Sequence, residues 1–305
     1  MKVSLRFWLS LSILTFGAAQ GLSQQKELRL VKVDGLDSNL RSVFTLRSDW
    51  AFAVGEAGTI AQYDGFLWKR VDSPVSEDLA AVWGSASEGV FAAGANGCVL
   101  RYENDSWTRL GTPTNNYLYG VWGSGGEGHV WIVGEWGTLL TWDRRLWSQD
   151  FVTRRWLRGI WSPGKGQVYV VGNNGLVLLG SRTHGWSRLR TDLSRDLFDL
   201  HSISGTSAES IFVVAERGRL LHFDGDKWRV IPLPREAADL ALKAVWAIAS
   251  NRSYVVGEQG LILEIEELIP RLISVPTDND LLGVCGDREG RLTIVGNEGT
   301  ILTNY

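Results

Sequence analysis

Methionine is all but missing from this sequence, the initiator being the only one among 305 residues, and histidine (4), cysteine (2) and proline (7) are nearly as scarce. Two cysteines, Cys98 and Cys285, are too few for a disulfide framework, so stability must come from a packed core. Both read as buried thiols acting as small apolar residues. The histidines His129, His184, His201 and His222 are scattered, with no pair at ligand spacing and no cysteine partner. That pattern argues against a zinc site, and no metal or other cofactor is expected. No G-x-S-x-G elbow is present, and no Cys, His and Asn arrangement can be argued, so no catalytic residue is nominated. Basic charge is not in excess either. With 31 basic against 34 acidic side chains, the chain offers no general footprint for nucleic acid.

Long apolar runs are absent as well. Lys2 and Arg6 frame a short apolar stretch over residues 7–16, followed by Gly17, Ala18 and Ala19. This is the layout of a cleavable secretory signal over residues 1–19. The stretch falls short of the about 20 apolar residues that cross a bilayer, and no cysteine stands beside Ala19 to accept a lipid. The mature chain, residues 20–305, is therefore expected to be soluble, secreted or periplasmic, with no transmembrane segment and a net charge of −5.

What the sequence has in abundance is tryptophan (15) and glycine (35), a composition of aromatic-packed strands joined by tight turns. These residues recur in one register. Strand openings fall at Leu40, Leu79, Leu118, Leu157, Leu200, Leu242 and Leu281, spaced 39, 39, 39, 43, 42 and 39 residues apart. A period near 40 with four short apolar runs per unit predicts β-propeller blades, whereas helical solenoids need a 3.6-residue periodicity that is not found. Within a unit the runs define strands A to D, as in Leu79-Ala80-Ala81-Val82-Trp83-Gly84, Val90-Phe91-Ala92-Ala93-Gly94, Gly97-Cys98-Val99-Leu100-Arg101-Tyr102 and Trp107-Thr108-Arg109-Leu110. The fold class predicted is all-β, a seven-bladed propeller in one domain.

The turn between strands B and C carries glycine in all seven units, at Gly58, Gly97, Gly137, Gly175, Gly218, Gly260 and Gly299, where a tight hairpin needs positive φ. Six units have another glycine three positions earlier, with Ala215 the exception. Phe52, Phe91, Trp131, Tyr169, Phe212 and Tyr254 share one register of strand B, and Phe44, Trp83, Trp122, Trp161 and Trp246 one register of strand A. Rings that recur once per blade are expected to fill the wedges between blades. Unit seven stops after strand C, while residues 28–33 precede the first strand A where other units place strand D. The N-terminal strand is thus predicted to close the last blade and remove an open edge.

The pieces Val82-Trp83-Gly84-Ser85, Val121-Trp122-Gly123-Ser124, Gly55-Glu56-Ala57-Gly58, Gly296-Asn297-Glu298-Gly299 and Tyr63-Asp64-Gly65 followed by Trp68 together resemble the repeat of secreted bacterial propellers of the BNR/YVTN-like group. More distantly, they resemble photosystem II assembly and stability factors. The resemblance spans nearly all of the mature chain and implies architecture far more than function. Its assembly-factor branch implies a chaperone or scaffold. In sialidase-like relatives the turn before the last tryptophan is an Asp box, of which residues 64–68 and 224–228 look like copies without the serine. The catalytic set of that family does not map onto this chain.

Two candidate sites lie on the face that bears the B to C turns. Glu56, Glu135, Glu216 and Glu258, in register with Asn173 and Asn297, form an acidic ring at the channel mouth, read either as a holder of a cation or basic partner or as solvated turn residues. Arg154, Arg155 and Trp156 open a D to A connection and are expected near Tyr117 and the turn residue Trp136, an arginine and aromatic patch suited to a sugar ring or an anionic peptide group. The expected function is non-catalytic binding or scaffolding outside the cytoplasm, with a protein or an envelope glycan as partner. The alternative is a carbohydrate-active enzyme, sialidase-like or another glycosidase, whose acidic pair meets across the pore. A lectin with one site per blade would need a site residue in every unit, and only structural glycines recur so regularly.

Overall fold

A computed structural model describes residues 27–124, 128–181, 185–189, 198–287 and 289–305. The signal-like residues 1–19 and His184 lie outside them. Seven four-stranded antiparallel sheets make up the molecule, and each is one blade. The innermost strands begin at Leu40, Leu79, Leu118, Leu157, Leu200, Leu242 and Leu281, and every one of these leucines is at most 1% exposed. Strand B is buried along almost its whole length, as in Val130–Gly134, because it is covered by a blade on either side. Its six aromatic residues are all buried, each worth on the order of 2–3 kcal/mol relative to exposure.

Blade seven consists of Leu281–Gly286, Leu292–Gly296, Ile301–Thr303 and, from the other end of the chain, Arg29–Val31. Arg29 pairs with Thr303, Leu30 with Leu302 and Val31 with Ile301, so the ring is closed by hydrogen bonds between the two termini, as the missing strand D predicted. Tyr305 adds an edge contact to Tyr63 of blade one, with ring centroids 5.4 Å apart.

The strand A rings depart from the expected placement. Trp122 of blade three meets Trp246 of blade six at 6.2 Å, and Phe44 touches both Trp83 and Trp246 at 6.1 Å. Blades three and six are not neighbours, so these rings meet across the axis and plug the channel. Trp161 does lie in a wedge, against Tyr169 at 5.9 Å and beside Gly205. Trp83 reaches the next blade too, where a Cβ on Gly123 would stand 2.0 Å from its ring. Glycine after the strand A tryptophan therefore makes room for the preceding blade's indole.

The glycines of the B to C turn have two separate causes. Gly137 sits at φ +73, and a side chain there would also strike the Thr153 carbonyl. Gly134, three residues before it, is extended at φ −161; its lack of a side chain lets Tyr117 O approach, 2.3 Å from where a Cβ would be. Where Ala215 replaces that glycine, the bond from Glu216 N to Asp199 O lengthens to 3.4 Å, against 2.9 Å for its counterpart from Glu135 N to Tyr117 O. Cys98 and Cys285 are buried free thiols in blades two and seven, both pushed up to about 11 by burial.

Candidate functional site

Every innermost strand begins with the same irregularity. The pairing of strands A and B slips by one residue between Leu40 and Ser42, and at the matching place in each of the other six blades. The residue at each slip is Arg41, Ala80, Tyr119, Arg158, His201, Lys243 or Leu282. A β-bulge leaves its extra residue outside the ladder and re-aims its side chain. Here the seven bulged residues line a blind axial pocket of about 200 Å³. Phe44, Trp122 and Trp246 line the same pocket and, plugging the axis, make its floor.

The acidic ring surrounds this mouth, but its carboxylates face basic and phenolic groups of their own blades. Arg41 donates to Glu56 at 2.6 Å and Lys243 to Glu258 at 2.8 Å. Glu135 accepts from Tyr117 N at 3.2 Å and Tyr119 Oη at 3.4 Å. Glu258 is held below the usual carboxylate range by Lys243 and by the Ala241 amide. Glu216 has the His201 ring within electrostatic reach. Among the described residues no group of three or more His, Cys, Asp or Glu side chains could hold a metal ion. None of the described residues that line the axial pocket is an aspartate or glutamate, so no facing acidic pair of the kind the glycosidase alternative requires is found among them.

Sequence reading missed the bulged residues, although they are the one register of strand A that varies freely between a uniform leucine and small residues on the other side. A regular spacing was also available. Arg41 and Glu56, Arg158 and Asn173, and Lys243 and Glu258 are each fifteen residues apart, and each pair is hydrogen bonded.

Beside the mouth, blades three and four bring together much of the predicted patch. Tyr117 stacks on Tyr119 at 4.7 Å, and Tyr119 on Trp156 at 5.9 Å. The Arg158 guanidinium lies over both Tyr119 and Trp156, at 5.2 and 5.6 Å, so Tyr119 and Arg158 belong to a cluster that sequence reasoning had drawn without them. Burial and then the nearby Glu135 push the Tyr119 phenol up to about 12. Arg155 is tied to the next blade's turn through Asn174 O at 3.1 Å, and Arg154 is exposed.

Trp136 stands apart from the stack. It is 59% exposed and occupies the left-handed region at φ 55, a conformation that costs a bulky residue on the order of 1 kcal/mol or more. The equivalent turn residues are Ala57, Asn96, Asn174, Arg217, Gln259 and Glu298. Phe151, which pairs with Thr138 just beyond the same turn, is 64% exposed. Arg144 and Arg145 lie at the other face, where Arg144 packs beside Gly128 of the A to B turn.

The degenerate Asp boxes are structural. Asp64 Oδ1 accepts from Phe66 N and Leu67 N, both at 3.1 Å, and Asp224 Oδ1 accepts from Asp226 N and Lys227 N at 3.1 and 2.9 Å. Those amides hold both carboxyls below the usual range.

No family model matches the sequence, and no curated protein does. Solved structures match the fold. YCF48 from Cyanidioschyzon merolae aligns with a TM-score of 0.72 at 12% identity, covering 91% of this chain and 98% of that one. A structure of YCF48 bound to D1 peptide gives 0.70 at 13%, covering 91% and 94%. Virginiamycin B lyase from Staphylococcus aureus gives 0.76 at 10%, covering 91% and 98%. A peptide binder and a lyase score alike, and identities this low establish the seven-bladed propeller alone.

Proposed function

We propose that this protein is a non-catalytic binding module or scaffold, secreted or periplasmic, that recognises a protein partner through the turn-bearing face of blades three and four. Trp136 carries the reading. An indole held in the left-handed region and left more than half exposed contributes little to the fold, and six equivalent turns manage without one. Exposed aromatic residues beside arginines are the make-up of interface centres. Here Phe151 pairs with Thr138 just past the turn of Trp136, while exposed Arg154 follows Thr153, whose carbonyl lies against Gly137 of that turn. A neighbour of the same fold solved with a peptide supports the choice of a protein partner. The location rests on Lys2, Arg6 and the apolar residues 7–16 before Ala19. No helix among the described residues is long and apolar enough to cross a membrane.

The test is cross-linked capture from the native envelope, comparing the wild type with Trp136→Ala combined with Arg154→Ala. Loss of an aromatic anchor and a flanking arginine should weaken capture by about thirtyfold or more, with thermal unfolding unchanged or raised. Equal capture by the two proteins would remove the patch from the argument. Protease treatment of the extract separates the partner classes, since capture that survives it belongs to an envelope glycan.

A further inference from the structure

Three of the seven bulged residues are arginine or lysine, and one of the three meets a neutral residue at the turn that follows. Arg41 faces Glu56 and Lys243 faces Glu258, each at ordinary ion-pair distance. Arg158 has Asn173 in the corresponding place, accepting from its Nε at 2.7 Å. Its one ion-pair neighbour among the described residues is Asp199, 3.7 Å away and beyond hydrogen-bond distance. A guanidinium presents five donors in a planar fork that fits a carboxylate, and here it is braced flat by Tyr119 and Trp156. It stands at the mouth of a closed-ended pocket whose walls are the axial edges of seven strands. Such edges carry backbone N–H and C=O groups without ladder partners on that side. Ser42 and Ser202 accept from Val82 N and Val245 N, and His201 Nδ1 bonds Leu242 O, which leaves the remaining edge groups for a ligand. His201 and Lys243 stand within electrostatic reach of the same place.

We propose that the axial pocket is a binding site for a small hydroxylated molecule bearing one carboxylate, which Arg158 holds at the mouth while the hydroxyls meet the strand edges above the Phe44, Trp122 and Trp246 floor. The charge of the ligand follows from the pairing. Glu56 and Glu258 hydrogen-bond two of the mouth cations, whereas the Arg158 fork has no carboxylate within hydrogen-bond distance among the described residues and can take one. With Glu135, Glu216 and Asp199 nearby, a phosphate dianion is a poorer match. The assignment does not depend on the partner-binding reading, which uses Trp136 and Arg154 farther out.

The probes are glucuronate, glucose as its uncharged counterpart, and inorganic phosphate, each titrated by calorimetry and by tryptophan fluorescence. Saturable binding of glucuronate and none of glucose is expected. Arg158→Gln should weaken it about tenfold or more, the scale of a charge-assisted hydrogen bond. Asn173→Glu should do the same by supplying the carboxylate that blades one and six possess, without loss of thermal stability. Asn297→Glu adds an equal charge at the same register opposite Leu282, and should weaken binding far less.

No saturation by glucuronate up to about 10 mM, glucose binding as tightly, or phosphate binding more tightly would overturn the proposal. So would equal effects of the Asn173 and Asn297 variants. Trp136→Ala with Arg154→Ala should leave glucuronate affinity unchanged, so this site and the partner face can fail separately.

Discussion

Removing residues 27–33 deletes the outer strand of blade seven, and the structure sets the scale of the damage. Leu28 is 7% exposed, and its burial is worth about 2 kcal/mol; Val31 and Val33 pack partly buried on the blade-one core and add about 1 kcal/mol each. Three residue pairs of ladder are lost with them, each hydrogen bond contributing about 1 kcal/mol net. The total is roughly 5–8 kcal/mol, comparable with the whole net stability of a typical domain, about 5–15 kcal/mol. At about 2–4 °C per kcal/mol for chains of this size, the midpoint of thermal unfolding should fall by at least 10 °C. The bared strand Ile301–Thr303 should also drive association, visible by light scattering. A circular permutant that carries residues 27–33 after Tyr305, joined by a four-residue turn, should recover most of the loss because it restores the same ladder from the other direction. A deletion variant that stays monomeric and unfolds at the wild-type temperature would refute the closure argument.

Two other outcomes follow from local chemistry. Trp136→Asn places a residue tolerant of the left-handed region where Asn96 and Asn174 already sit, so stability by urea unfolding should rise by up to about 1 kcal/mol while partner capture falls; a loss of stability would mean that the indole packs more than its exposure implies. His201 and His222 are both held below the ordinary histidine value by burial. Between pH 6.5 and their folded values the unfolded chain takes up protons that the native state refuses, so stability falls on acidification across that window. Asp64, Glu77, Asp224 and Glu258 are shifted downward too, but their contribution is present above the ordinary carboxylate range and lost only below it. His201→Asn with His222→Asn should therefore flatten unfolding temperature between pH 7 and pH 5, and an unchanged slope would count against the histidine assignment.

The fold was legible because its constraints are written at the level of single residues. A buried leucine opens each blade, a glycine stands in six of seven blades where a neighbouring carbonyl comes within contact, and a strand missing from one end has its replacement at the other. The reach of large side chains was not legible. Alternation along strand A tells which way Trp122 points, but not that its ring extends far enough to meet Trp246 from across the disc. The candidate face was half legible for a related reason. Trp136 stood out because the repeat does not call for it; Tyr117 and Trp156 come together through Tyr119, while Trp136 stands apart from them. Glu56 and Glu258 were read as a ring because their partners Arg41 and Lys243 sit in what looked like filler between the leucine and the valine. The bulge that turns those residues inward leaves no mark except their variety, with arginine, alanine, tyrosine, histidine, lysine and leucine at one position of an otherwise monotonous repeat.

The aromatic floor makes the centre of the disc a cul-de-sac with a single doorway, and the doorway opens onto the face where a partner would lie. Whatever enters must leave by the route it took, so a partner seated over the opening either finds the chamber empty, seals its contents in, or waits for them to go. Order of arrival at that face thus becomes a property of the molecule, and traffic between its two sides has to go around the rim.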